Sequence, residues 1–71
     1  MSREEFIYFI KSIGFKYNGH GYYEYKEYEI FLLYNHYDFF NGYKWFDDID
    51  LNDLSPLKKI TRSYKLKNIL G

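Results

Sequence analysis

The sequence contains no cysteine, alanine, valine or glutamine, and it has one proline, one tryptophan and one methionine. Without cysteine, neither disulfide bonds nor thiolate metal sites can stabilise the fold. A chain of 71 residues forms one small domain, residues 1–71, and such domains bury only a modest fraction of their surface. The buried area must therefore come mainly from aromatic residues, which supply 25% of the chain and include ten tyrosines.

No stretch of the chain approaches the roughly 20 apolar residues that a membrane-spanning helix needs. The first six residues carry acids where a secretory signal peptide has a basic start and then an apolar core. We therefore expect a cytoplasmic protein with no membrane contact. Lysine, isoleucine, asparagine, tyrosine and phenylalanine make up more than half of the chain, a bias of AT-rich coding. This bias favours a low-GC bacterium, its phage or a mobile element as the source.

The net charge is zero, but the charges are unevenly distributed. Residues 1–53 contain all ten acidic residues and five basic ones, a net charge of −5. Residues 54–71 contain five basic residues and no acidic one. This asymmetry is typical of a nucleic-acid contact or of pairing between the C-terminal segment and the rest of the domain.

Residues 2–13 carry the pattern of an amphipathic helix. Ser2 and Glu5 have the spacing of a capping box, in which each side chain accepts from a free backbone N–H group of the first turn. Gly14 is placed to end the helix with a positive φ. Apolar residues recur on one face, which we expect to pack on a sheet: Phe6, Phe9, Ile10 and Ile13.

Residues 22–46 predict an antiparallel meander, with residues 15–17 as an extended segment or short edge strand. Asn41-Gly42 predicts a hairpin turn, because both residues tolerate positive φ. The two-residue alternation slips near Lys26-Glu27, and a turn there restores the phase. It pairs Tyr25 with Tyr28 and Tyr23 with Ile30. A third turn at Asn35-His36 would pair Tyr34 with Tyr37 and Leu32 with Phe39.

These turns give the sheet two faces. We call the first face one and expect it to form the core, with Lys44 as an exception: Tyr23, Tyr25, Tyr28, Ile30, Leu32, Tyr34, Tyr37, Phe39 and Phe46. The opposite side of the sheet is named face two, and there apolar and aromatic residues are interspersed with acidic ones: Tyr22, Phe31, Leu33, Phe40, Tyr43, Trp45, Glu24, Glu29 and Asp38. A solvated sheet face is normally polar, so the second helix, a second copy or a partner should cover face two.

Residues 47–53 are an acidic run, which we interpret as a solvated connection. Its start resembles a calcium loop, but Asp53 stands where that loop needs glycine and Lys59 where it needs glutamate. Ser55 and Pro56 then predict a second helix, with serine at the N-cap and proline at the first position. Leu57, Ile60 and Tyr64 form its apolar stripe, and the change of phase after Tyr64 predicts a kink near Ser63. The predicted fold is α+β: an N-terminal helix, a three- to four-stranded antiparallel meander and a C-terminal helix.

An enzyme is disfavoured by the residues present. There is no cysteine, no serine in a nucleophile elbow and no phosphate-binding glycine loop. His20 and His36 lie at separate predicted turns with no carboxylate at ligand spacing, so we expect no metal site, no cofactor and no catalytic residue.

Nucleic-acid binding is one alternative. The candidate contacts are basic residues of the second helix: Lys58, Lys59, Arg62 and Lys65. A helix, three strands and a helix, with Gly19-His20 before a strand and Lys58-Lys59 opening the last helix, resembles the double-stranded-RNA-binding domain. That resemblance implies contacts of these residues with an RNA backbone. The acids of residues 47–53 and the net charge of residues 1–53 oppose phosphate binding.

Protein binding is the function that the pattern favours. Aromatic anchors inside a polar rim are typical of interaction surfaces, and acids steer towards basic partners. The expected binding residues are the aromatic and acidic members of face two: Tyr22, Phe31, Phe40, Tyr43, Trp45, Glu24, Glu29 and Asp38. By analogy, the chain fits a small phage or mobile-element inhibitor of a host factor, such as an anti-CRISPR or anti-nuclease protein. A homodimer through face two is a further alternative.

Overall fold

The computed structural model describes residues 1–61, which form an α+β domain with one antiparallel sheet. The elements in chain order are α1 (Arg3–Ile13), β1 (Lys16–Tyr17), β2 (Tyr22–Tyr25), β3 (Tyr28–Leu32), β4 (His36–Phe40), β5 (Trp45–Asp50) and a 3₁₀ turn (Ser55–Leu57). Residues 58–61 continue in a helical conformation. The sheet is a meander of five strands in sequence order, so the predicted layout is confirmed. The segment predicted as extended or as a short edge strand is the edge strand β1.

The capping box of α1 forms as predicted. The Glu5 N–H donates to Ser2 Oγ at 3.1 Å, and the Ser2 N–H donates to Glu5 Oε1 at 2.9 Å. The hydrogen bond from the Ser2 backbone lowers the pKa of the Glu5 carboxyl. Gly14 ends the helix with a φ of 133°, and its N–H donates to the carbonyls of the last turn.

The turn at Lys26-Glu27 is confirmed, with Tyr25 opposite Tyr28 and Tyr23 opposite Ile30. Lys26 adopts a φ of 54°, which lysine rarely does, so this turn is maintained by the strands rather than by local preference.

The predicted register of β3 and β4 is wrong by two residues. Leu32 lies opposite Tyr37 rather than Phe39, and the Leu33 N–H donates to the His36 carbonyl at 2.9 Å. The turn residues are therefore Tyr34 and Asn35, and the Tyr34 side chain is 88% exposed instead of lying in the core. A shift by two residues leaves every other side chain on its predicted face, because the strand period is two.

The turn between β4 and β5 centres on Gly42 and Tyr43 rather than on Asn41 and Gly42 as predicted. Asn41 lies before the turn, and its Oδ1 accepts from the backbone N–H groups of Tyr43 and Lys44 at 2.8 and 3.0 Å. Gly42 has a φ of 101°. Asparagine starts the turn with its side chain, as Asx turns do, and glycine takes the positive φ.

The acidic run is strand, which corrects its interpretation as a solvated connection. β5 continues to Asp50, with Tyr37 opposite Ile49 and His36 opposite Asp50. The ladder shifts register between Tyr37 and Phe39, and Asp48 lies beside this β-bulge with a φ of 56°.

The core of residues 1–61 lies between face one and the elements that cross it. Within this part of the chain it contains eleven buried side chains: Phe6, Ile10, Ile13, Phe15, Ile30, Leu32, Tyr37, Phe39, Leu51, Leu57 and Ile60. All four sheet residues among them come from face one. Phe46, predicted as core, is instead largely exposed near the end of the sheet.

The start of the second helix packs on face one together with α1. Leu57 and Ile60 are buried in the core as the stripe predicts. The predicted serine N-cap is wrong: Leu54 occupies that position, and the Asp53 carboxylate accepts from the N–H and hydroxyl of Ser55 instead. Tyr64 and the predicted kink near Ser63 lie outside the described residues.

Candidate protein-interaction surface

Face two places four aromatic side chains close together on the sheet. The ladder sets Tyr22 opposite Phe31 on β2 and β3, and Phe40 opposite Trp45 on β4 and β5. Each of these residues follows the alternation of its strand, so its side chain points away from the core. We call Tyr22, Phe31, Phe40 and Trp45 the aromatic cluster.

The rings of the aromatic cluster form one connected group. The Tyr22 and Phe31 ring centroids are 5.2 Å apart, and those of Phe40 and Trp45 are 5.3 Å apart. The Trp45 ring also reaches the Tyr22 ring, with 6.0 Å between centroids, although β3 and β4 lie between their strands. All three pairs are tilted, within the distance range that aromatic pairs favour. The two halves of the face are therefore joined by Trp45.

The cluster is accessible from solvent. Trp45 is 40% exposed, while Tyr22, Phe31 and Phe40 are half-buried. Trp45 thus packs against neighbouring rings while part of the residue stays accessible to solvent, as expected for an interaction anchor.

Tyr43 does not belong to the cluster, which corrects its assignment to face two. It lies in the turn between β4 and β5 and is 93% exposed. It lines a separate cavity of about 560 Å³, together with Phe39 and Phe46 of face one and with Pro56 and Ile60.

Three acids flank the aromatic cluster, and we call them the acidic rim: Glu24, Glu29 and Asp38. Glu29 lies opposite Phe40, and Asp38 lies opposite Phe31. Glu24 lies opposite Glu29, so two carboxylates face each other across neighbouring strands. On its other side Glu24 lies opposite Lys16 of β1, so it has one like-charge and one opposite-charge neighbour in the sheet.

The β-bulge places a further acidic residue, Asp48, on the same face. The Asp48 N–H donates to Asp38 Oδ1 at 3.0 Å, and His36 Nε2 lies 3.3 Å from Asp48 Oδ1. His36 was expected to lie at a turn but starts β4. The alternation of acidic and apolar residues over 48–51 is the signal that could have revealed this part of β5.

The basic residues of the second helix are only partly described. Lys58 and Lys59 are exposed, and Lys59 lines the cavity near Tyr43. Hydrogen bonds from Ser55, with a smaller contribution from Lys58, lower the pKa of the nearby Asp53 carboxyl. Arg62 and Lys65 lie outside the described residues. The five-stranded sheet also departs from the helix–three strands–helix order of the double-stranded-RNA-binding domain.

The histidine and acidic side chains of residues 1–61 are dispersed over the domain. No group of three or more histidine or acidic side chains there is arranged to hold a metal ion. His20 is exposed, and its backbone N–H donates to Asn18 Oδ1 within the turn before β2. Burial raises the pKa of the Tyr37 phenol well above its usual range, and its O–H donates to the Asp53 carbonyl at 2.6 Å. Tyr37 therefore links the sheet to the segment that follows it.

No family model, curated protein or solved structure matches this chain. Among the helices of residues 1–61, none is long and apolar enough to cross a membrane.

Proposed function

We propose that this protein is a non-enzymatic binding module that docks a basic protein surface on the aromatic cluster and acidic rim of face two. The observation that carries the proposal is the position of the cluster. Its four rings contact one another on the sheet face opposite the core, and its central tryptophan is 40% exposed.

The composition of the surface fits an interface better than a solvated sheet. Tryptophan and tyrosine are enriched among residues that dominate binding energy, and polar residues typically surround them. The rings are also pre-positioned by their mutual contacts, so little side-chain entropy is lost when a partner binds.

The charges favour a basic partner. The rim acids and the bulge acid Asp48 lie on the same face, and complementary charge accelerates encounter and excludes acidic competitors. Basic protein surfaces often serve to bind nucleic acids. We extend the proposal to inhibition: a small acidic module that covers such a surface would block a nucleic-acid-processing protein of the host.

A site-specific photocrosslinker tests the proposal. We would replace Trp45 with p-benzoylphenylalanine, irradiate the protein in a nuclease-treated host lysate and analyse the products by mass spectrometry. The matched control carries the same amino acid at Tyr8, an aromatic residue on α1 that is 79% exposed. We expect a discrete product with a basic protein from position 45 only, and less of it when Glu29→Gln and Asp38→Asn are added.

Other results would contradict the proposal. Identical products from both positions, or none from position 45, would mean that face two is not a docking surface. A product of twice the 8.8 kDa chain would indicate a homodimer. A product that forms in an untreated lysate but not in the nuclease-treated one would indicate a nucleic-acid bridge, and Lys58→Glu with Lys59→Glu would then abolish it.

A further inference from the structure

Trp45 is placed to receive a cation on its ring. It is the only tryptophan of the chain, and its ring is held between Tyr22 and Phe40 while 40% of the residue stays exposed. Tryptophan is the aromatic side chain that attracts cations most strongly, through the negative face of its ring.

Two acidic residues lie directly opposite rings of the aromatic cluster in the strand register. Glu29 is opposite Phe40, the direct neighbour of Trp45, and Asp38 is opposite Phe31. Both acids are half-buried, so they are less screened by water than fully exposed carboxylates. A cation above the cluster would therefore meet ring faces and carboxylate oxygens together.

The lysines of the hairpin turns point to the other side of the sheet. Lys26 Nζ lies 5.2 Å from the Tyr25 ring centroid, and Lys44 Nζ lies 4.9 Å from that of Phe46. Tyr25 packs against the core, and Phe46 is opposite the core residue Phe39, so both contacts belong to face one. Lys16 of the edge strand lies opposite Glu24, so the acids that the lysines leave for a cation from elsewhere are Glu29 and Asp38, opposite the rings.

We infer that the aromatic cluster and acidic rim form a binding site for an arginine side chain of the partner. The inference rests on the proposed function and names the group that the partner inserts. A guanidinium is planar, so it can stack on the Trp45 ring while its N–H groups donate to a carboxylate in pairs. A lysine ammonium can use the ring but lacks the paired geometry, so the site should prefer arginine.

Intrinsic fluorescence gives a direct assay, because Trp45 is the single tryptophan and lies in the site. We would titrate the full chain with a short peptide of alternating glycine and arginine, and with otherwise identical lysine and citrulline peptides. We expect saturable quenching by the arginine peptide, binding about fivefold weaker for the lysine peptide and none for the citrulline peptide.

Two matched double variants separate the rim from general charge. Glu29→Gln with Asp38→Asn should weaken binding of the arginine peptide about tenfold, because both negative charges are lost while the side chains keep nearly the same shape. Glu4→Gln with Glu27→Gln removes the same charge from α1 and a turn, and should change the affinity less than about twofold. Circular dichroism verifies that both variants are folded.

Four outcomes would overturn the inference: no saturable quenching, equal binding of the lysine or citrulline peptide, equal losses in the two double variants, or occupancy by another group. A change in Trp45 emission of the unliganded protein on Arg62→Gln would assign the site to the chain's own arginine. A fluorescence signal that follows protein concentration without peptide would assign it to a second copy. If position 45 crosslinks a partner while the arginine peptide fails to bind, the proposed function stands and only the arginine site falls.

Discussion

The two faces of the sheet are built from similar residues but have different surroundings. Face one contributes Ile30, Leu32, Tyr37 and Phe39 to a core covered by α1 and residues 51–61. Face two carries a comparable number of rings, yet none of the eleven core residues comes from it. The difference arises from connectivity, because α1 and the described part of the second helix both cross the same side of the meander. Aromatic content alone therefore does not determine which face of the sheet becomes the core.

The largest difference in stability between the two faces should appear when one ring is removed from each face in separate variants. Phe6→Ala empties a fully buried position on face one and should cost about 3–5 kcal/mol. This is a large share of the roughly 4–11 kcal/mol expected for a domain of 71 residues. Phe31→Ala removes a half-buried ring from face two and should cost about 1–2 kcal/mol. Urea unfolding followed by circular dichroism measures both. Equal losses would mean that face two is as closed as the core.

Alanine substitutions at two glycines test how tightly the two faces are packed. Gly14 and Gly21 have φ values of 133° and 98°, so alanine at either position is strained by the backbone. A Cβ on Gly14 would lie 2.6 Å from Cε1 of Tyr25, whose ring also packs on Phe15 of the core. A Cβ on Gly21 would lie 3.6 Å from Cε2 of Phe31, an ordinary contact.

Gly14→Ala should therefore be about 1–3 kcal/mol more destabilising than Gly21→Ala, because only the first adds a clash to the strain. The midpoints of urea unfolding of the two variants give this difference. A larger loss for Gly21→Ala would show that face two is the more tightly packed side.

The assignment of residues to faces could be predicted from the sequence because the strand period is robust. Two turns were placed one residue away from their true centres, yet each error changed the pairing by two residues and kept nearly every side chain on its face. The exceptions are Tyr34 and Tyr43, which became turn residues. The capping box of α1 was predictable for a similar reason, since it depends on residues three apart.

Other features depend on three-dimensional contacts that the pattern does not specify. The β-bulge sets an extra residue near Asp38, so the alternation of β5 is interrupted at Asp47-Asp48. The contact between Trp45 and Tyr22 depends on sheet twist and on ring orientation across two intervening strands. The direction in which the second helix crosses the sheet is likewise set by packing of Leu57 and Ile60 with α1.

Tyr37 links face one to the segment that follows the sheet. Its buried phenol should make the stability of the protein sensitive to alkaline pH. Burial raises the Tyr37 pKa, so the folded protein keeps a proton that the unfolded chain releases above about pH 10. This contribution to the free energy of unfolding is complete below pH 10 and is lost as the pH rises towards the folded pKa.

Tyr37→Phe removes the hydrogen bond to the Asp53 carbonyl and should cost about 1 kcal/mol at pH 7. Its loss of stability between pH 7 and about pH 11 should be smaller than that of the wild type. Urea unfolding at both values tests this, with Tyr34→Phe as the exposed control that should change neither. Parallel pH profiles for Tyr37→Phe and the wild type would contradict the expected role of burial.

The smallest effect should appear on face two, where a loss of charge is expected to raise stability and lower binding. Glu24 lies opposite Glu29 on one side and Lys16 on the other, so Glu29→Gln removes the like-charge pair and keeps the opposite-charge pair. This variant should increase the free energy of unfolding by a few tenths of a kcal/mol. The gain in stability should vanish in 1 M salt, where the screening length falls to about 3 Å.

The same variant should reduce crosslinking from position 45, since it removes part of the acidic rim. Destabilisation by Glu29→Gln, or a gain in stability that persists in high salt, would instead mean that the Glu24–Glu29 pair contributes to the fold. A stabilised variant that binds less would show that the acids of face two are kept for the partner, whereas the residues of face one are kept for the fold.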